Sequence, residues 1–255
     1  MSGNDLWEQH ARWWQDGFTG GVDPEYAEQI LPLAAEHLAG ARRVLEVGAG
    51  EGQLCRLAAG TSGQQGGAIT VVGIDPARNQ LEVARQRGGG PRYARAAAAH
   101  LPFSSGGFDA VMACLVFEHI DHVDEAIAEV ARVLGPGGRF LFFLNHPLLQ
   151  TPGSGWIDDH IIDEQYWRIG PYLREDTTLE EVDKDVFLPF VHRPLSRYVN
   201  ALAWQGLLVS RMEEPAPPPG FLARAAQYRD AATIPRLLFM RCEKPRGWAP
   251  GRDQG

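Results

Sequence analysis

Apolar residues recur along this chain in two rhythms, and the change from one to the other marks its organisation. Short unbroken apolar runs at Arg43–Val47, Ala68–Asp75, Phe108–Leu115, Arg139–Asn145 and Leu237–Lys244 predict strands buried on both faces. A weaker strand is predicted over Arg92–Ala97, and another candidate over Leu207–Glu213. Between them lie segments with helical spacing: Gln53–Ala59, Ala77–Arg87, Asp121–Leu134 and Arg193–Gly206. Strands of continuous apolar character separated by helices imply a parallel sheet covered on both sides, and right-handed crossovers make it doubly wound. Ahead of this block, Asp23 followed by Pro24 starts a helix, and Tyr26, Ile30, Leu31, Ala34 and Leu38 share one face. Pro32 interrupts that face and predicts a kink or two short helices.

The rhythm fades elsewhere. Residues 146–192 carry prolines, glycines, aromatics and acids with little periodicity, a length of irregular chain that is uncommon unless functional. Thr61–Gly67 reads as a flexible loop, Gly135–Gly138 as a tight turn, Pro215–Gly220 as a rigid spacer and Pro245–Gly255 as a frayed tail. The chain is thus expected to be one domain over 1–255. It has a helical cap at 1–40 that includes Trp7, Trp13 and Trp14, a ligand-binding core at 41–145, an insertion at 146–192 placed to act as a lid, and a C-terminal helix and strands at 193–245.

Composition narrows the class. Of 255 residues, 44% are hydrophobic, ample for one large core, and the net charge of −8 removes the electrostatic drive for nucleic acid or anionic membranes. No apolar run approaches a membrane span, and the polar start lacks a signal-peptide pattern. Cys55, Cys114 and Cys242 are too scattered for a disulfide framework or metal knuckle, so no metal is expected and reduced thiols fit a cytoplasmic protein.

The chemistry concentrates in VLEVGAGEG at 44–52, where a buried strand runs into Gly48, Gly50 and Gly52. The first glycine lets the chain turn off the strand, and the others let backbone approach a ligand. A dinucleotide fold wants its third glycine one place later, where Gln53 stands, so the pattern favours a ligand without a pyrophosphate. Asp75 ends the second strand, where an acid accepts from ribose hydroxyls or caps the next helix. Together they describe an adenosine site at the carboxyl edge of the sheet.

These motifs, with VGID at 72–75, LPF at 101–103, FDAVMACLVFEH at 108–119 and LGPGGRF at 134–140, resemble in order and spacing the class I S-adenosylmethionine-dependent methyltransferases, in the small-molecule branch that includes the ubiquinone and menaquinone methylases. The likeness covers residues 40–145. It implies a Rossmann-like α/β fold, a mostly parallel seven-stranded sheet with an antiparallel last strand, with S-adenosylmethionine as cofactor. It implies that Gly48, Ala49, Gly50 and Gly52 pass under the methionine and ribose, and that Glu46 supports the loop or the methionine amine. Asp75, with Pro76, would hold the ribose, and Cys114 and Leu115 would lie at the edge of strand four. The family's usual acid for the adenine amino group is replaced by Ala97, beside Ala98, leaving a backbone amide or His100 for that contact.

Methyl transfer from a sulfonium needs alignment, exclusion of water and a sink for one proton. Histidine suits the last task. His146 directly follows the strand ending at Asn145 and is the first candidate, with His119 and His192 as alternatives. The insertion holds Trp156, Tyr166, Trp167, Tyr172, Phe187 and Phe190, able to wall an apolar pocket, and ten acids between Asp158 and Asp185 that read as a solvated face or as attraction for a cationic amine. The expected partner is a small-molecule acceptor of a methyl group on O, N or C, with no nucleic acid and no membrane, in a monomer or homodimer. The rival readings are an NAD-dependent oxidoreductase and a catalytically silent protein that keeps the fold.

Overall fold

The computed structural model describes residues 3–60, 69–228 and 230–247. The expected loop at 61–67 and most of the expected tail lie outside them. A seven-stranded sheet forms the centre: β1 (Arg43–Val47), β2 (Thr70–Asp75), β3 (Arg92–Arg95), β4 (Phe108–Cys114), β5 (Leu134–Asn145), β10 (Leu208–Glu213) and β11 (Leu237–Glu243). Its order is β10-β11-β5-β4-β1-β2-β3. Pairings from β5 to β3 are parallel, and β11 runs antiparallel between β5 and β10.

The apolar runs become central strands because helices bury them from both sides. On one face α6 (Val123–Val133) and α7 (Leu195–Trp204) set Ile127, Val130 and Leu202 against Leu45, Val111 and Phe142. In α6 the buried positions Val123, Ala126, Ile127 and Val130 follow the spacing of one helix face. On the other face α3 (Leu31–Leu38) and α4 (Gln53–Gly60) set Ala34, Leu38 and Leu54 against Val44, Met112 and Phe239. α5 (Arg78–Arg87) links β2 to β3. The break predicted at Pro32 is a π-helical turn, Tyr26–Ile30, that runs directly into α3 and leaves the proline in the first turn, where its missing N–H costs nothing.

Several expectations are corrected. Leu134–Gly138 belongs to β5 itself: the register with β4 shifts between Phe108 and Ala110, so the glycine-rich turn is a bulge in a long strand. Pro219 lies inside α8 (Pro219–Arg224), so the expected spacer ends in a helix. The insertion is not irregular. It folds as two antiparallel hairpins, β6 (Gly155–Asp159) with β7 (Glu164–Arg168), and β8 (Asp176–Asp183) with β9 (Val186–His192). Asp163 and Asp185, both with φ near +60°, make the turns. Two N-terminal helices, α1 (Gly3–Gln9) and α2 (Ala11–Gly17), complete the molecule. Among the described residues no helix is long and apolar enough to cross a membrane.

Candidate functional site

The carboxyl ends of β1, β2 and β4 open onto one cavity of about 280 Å³ at the point where strand order reverses, the place at which doubly wound sheets take ligands. The glycine loop after β1 forms its floor. Gly50 adopts φ +52° and presents backbone towards Trp14, so a Cβ there would stand 3.6 Å from the indole nitrogen. Gly52 departs from expectation. It does not line the cavity, and its missing side chain makes room for the Tyr93 hydroxyl rather than for a ligand.

Asp75 ties this loop to the next helix. Its Oδ2 accepts from Gly50 N at 2.9 Å and its Oδ1 from Ala77 N at 2.8 Å. Burial raises its pKa from 3.8 to about 6 despite these two bonds. Each oxygen keeps a second lone pair, so the carboxylate serves as cap and still has acceptor capacity on the cavity side. Glu46, on β1, is also buried against the cavity. Desolvation lifts its pKa to about 8, a thiol contact with Cys55 only partly offsets this, and its Oε2 has no hydrogen-bond partner among the described residues. A buried acceptor left unpaired is costly and calls for a donor from whatever enters.

Pro76, Ala77 and the run Ala96–Ala99 give the cavity a wall of small residues beyond Asp75. His100 is exposed and does not line it, so only backbone is available in place of the missing acid. On the opposite side Cys114 and Leu115 close β4. The Cys114 thiol donates to the Tyr26 hydroxyl at 3.5 Å and burial pushes its pKa well up, which makes it a packed thiol. Leu115 has φ +55°, a left-handed conformation that a leucine holds only under constraint, and its N–H bonds Phe143 O.

The three histidines separate. His119 lines the cavity. Its Nδ1 lies 2.7 Å from Pro189 O, and because a carbonyl only accepts, Nδ1 carries the proton and Nε2 the lone pair. Burial lowers its pKa to about 4, so the ring is neutral at pH 7. His146 is not on the cavity rim, contrary to expectation. It is buried, Nε2 bonds Glu214 Oε1 at 2.8 Å, and Nδ1 accepts from Leu148 N. His192 is also away from the cavity, bonded to Tyr172 O at 2.8 Å.

Trp7, Trp14 and Tyr26, which the motif reading did not assign, complete the wall. Trp7 packs edge-on to His119 at 4.8 Å, and His119 contacts Phe190 of β9 at 4.5 Å. The N-terminal helices are latched across the site. The Glu8 carboxylate accepts from Arg78 N and Asn79 N at the start of α5, favourable at a helix N-terminus. Trp13 Nε1 donates to Asp183 Oδ2 of β8 at 3.0 Å. The signal for Trp7 was its place in the same aromatic-rich N-terminal run as Trp14, whose ring it meets edge-on at 5.8 Å.

Residues 45–142 match the family model of a methyltransferase domain. The chain is 32% identical over 187 residues to the uncharacterized methyltransferase Mb3374 of Mycobacterium bovis, covering 72% of this chain and 67% of the relative. It is 33% identical over 125 residues to the demethylmenaquinone methyltransferase of Thermus thermophilus, covering 48% of this chain and 54% of that one. The matches span about half to two thirds of the length of the curated relatives. Among solved structures, the S-adenosylmethionine dependent methyltransferase from Mesorhizobium loti superposes with a TM-score of 0.70 at 26% identity, over 83% of this chain and 96% of that chain.

Proposed function

Because this chain belongs to the S-adenosylmethionine-dependent methyltransferase family, we propose that it methylates an O, N or C atom of a small molecule, using the cavity at the ends of β1, β2 and β4. The observation that carries the reading is the buried Glu46 Oε2, without a hydrogen-bond partner among the described residues, on a side chain that lines the same cavity as Gly50 and Asp75. The chain's residues fit the cofactor from end to end. Glu46 supplies an anionic acceptor for the methionine ammonium, Asp75 has lone pairs for ribose hydroxyls, and Pro76, Ala97 and Ala98 offer a flat, small wall for the adenine. Gly48, Ala49 and Gly50 give close backbone approach, while Cys114 and Leu115 bound the other side.

S-adenosylmethionine, when bound, supplies a methyl group activated by a sulfonium. The protein's part is to align the acceptor, exclude water and receive a proton. We assign proton acceptance to His119 Nε2, whose lone pair is fixed by the Pro189 carbonyl at the other ring nitrogen. The proton that the acceptor atom gives up on methylation would pass to that nitrogen. Residues 146–192 and the cap at 1–40 act as the lid over the acceptor, an assignment supported by the Trp13–Asp183 and Trp7–His119 contacts. We propose a cytoplasmic monomer or homodimer. An oxidoreductase reading finds no support at Gln53, which stands where a dinucleotide loop has its third glycine and whose side chain accepts from Gly20 N.

Titration calorimetry with S-adenosylhomocysteine and with NAD tests the reading. Saturable binding of the first and none of the second is expected. Binding of NAD alone would overturn it.

A further inference from the structure

We infer that Arg193 is a positioning residue for methyl transfer: its guanidinium fixes the backbone of the turn that carries His119, while Pro189, on the strand that leads into Arg193, fixes the ring. This rests on the assignment of His119 as proton acceptor.

His119 closes a single 3₁₀ turn, Phe117–His119, after β4. A turn this short makes few bonds of its own. His119 N bonds Val116 O at 2.9 Å, and Ile120 N bonds Phe117 O at a long 3.4 Å. Arg193 adds what the turn lacks. Its Nη1 donates to Phe117 O at 3.2 Å, and its Nη2 donates to Ile120 O at 2.7 Å and to Asp121 O at 2.9 Å. These carbonyls bracket His119 along the chain, and a planar fork of fixed donors is suited to holding them at once. The ring is held from the same strand. Pro189 O takes the Nδ1 proton at 2.7 Å, and Phe190 packs on the imidazole at 4.5 Å.

The support is itself fixed. Pro194 restricts Arg193 to extended backbone. One residue earlier His192 Nε2 donates to Tyr172 O at 2.8 Å, and the Tyr172 hydroxyl accepts from Leu195 N at 2.8 Å. Within the turn, Glu118 Oε1 accepts from Asn145 N at 3.1 Å and Asn145 Nδ2 at 2.8 Å, at the end of β5. Arg193 is buried, with Glu175 3.7 Å from its Nε, and its charge works against the burial that raises the Glu118 pKa. Arg193 does not line the cavity, so it acts on the reaction through His119. Without it three carbonyls lose a charged donor and the turn is free to shift. Once the Nδ1 bond to Pro189 O lengthens, the ring can take the other tautomer, with the proton on Nε2 and no lone pair there to receive a proton from the acceptor.

The test uses full-length protein labelled with nitrogen-15 histidine and saturated with S-adenosylhomocysteine at pH 7. The imidazole nitrogen shifts of His119, assigned by their loss in His119→Gln, report the tautomer. The wild-type ring is expected in the Nδ1–H form. Arg193→Met keeps the reach of the side chain and removes its donors and charge. It is expected to raise the Nε2–H fraction at least about fivefold, the factor equivalent to one neutral hydrogen bond, with S-adenosylhomocysteine affinity within about threefold of wild type. Arg193→Lys keeps the charge and a point donor, so it is the variant to read if the methionine variant does not fold, and the same change is expected in it. A purely structural role would lower the melting temperature and leave the tautomer as in wild type. That result in either folded variant would overturn the inference, as would an Nε2–H ring in the wild-type protein. Failure of S-adenosylhomocysteine to bind the wild-type protein would instead overturn the methyltransferase reading itself, whatever the tautomer.

Discussion

Lowering the pH from 8 to 6 should weaken S-adenosylhomocysteine binding about fiftyfold through Glu46. In the ligand-free protein this carboxyl has its pKa raised from 4.5 to about 8 by burial, equivalent to roughly 5 kcal/mol against the ionised form. An ammonium placed on Oε2 reverses that preference and brings the pKa back below about 5. Only the ionised fraction of free protein then binds productively, about one half at pH 8 and about one hundredth at pH 6. At pH 7 binding should release about 0.9 proton, read from calorimetric enthalpies in buffers of different ionisation heat. The sign for stability is opposite. A carboxyl whose folded pKa is raised penalises the ligand-free protein increasingly as pH climbs from 4.5 towards 8, so ligand-free stability falls in the window where affinity rises. 5′-Methylthioadenosine, which lacks the ammonium, should bind with little pH dependence. Glu46→Gln should flatten the S-adenosylhomocysteine profile and cost about 1.5–3 kcal/mol at pH 8. A wild-type change below about threefold between pH 8 and 6, or the same slope with methylthioadenosine, would refute the assignment of Glu46.

Three further outcomes follow from the site. Gly50→Val places a β-branched residue at φ +52°, which costs about 1–2 kcal/mol of stability, and sets its methyl groups beside Trp14 inside the cavity; a folded protein that melts cooperatively without binding S-adenosylhomocysteine is expected, and unchanged affinity would remove the loop from the site. His119→Gln should reduce turnover about 10²–10⁴-fold with cofactor affinity kept. His146→Gln should leave turnover within about threefold while lowering the melting temperature, since it loses the bond to Glu214; the reverse order of effects would return the proton-accepting role to His146.

What sequence made legible, and what it hid, follows from which physical signal each segment carries. The sheet was readable because two-sided burial leaves strands such as Arg139–Asn145 continuously apolar, and the motif order then fixed the glycine loop and Asp75. The β8–β9 hairpin was not readable, because its alternation is inverted: Leu179 points to solvent at 60% exposure, while Asp176, Thr178 and Glu180 take the half-buried positions. A strand whose inner face is polar gives no hydrophobic period, and the same acids read as a solvated surface. His146 misled for a topological reason. Strand ends open onto a ligand where every neighbour is parallel, as at β1, β2 and β4. β5 instead borders the antiparallel β11, which delivers its own entry to that edge: His146 N bonds Arg236 O, one residue before β11, and Glu214, one residue after β10, takes the imidazole. A residue's place along the chain therefore predicts cavity access only when the neighbouring strand's direction is known. His119 escaped that constraint because it lies in the crossover after β4, on the parallel side of the sheet, where the N-terminal cap and β9 close over it from outside.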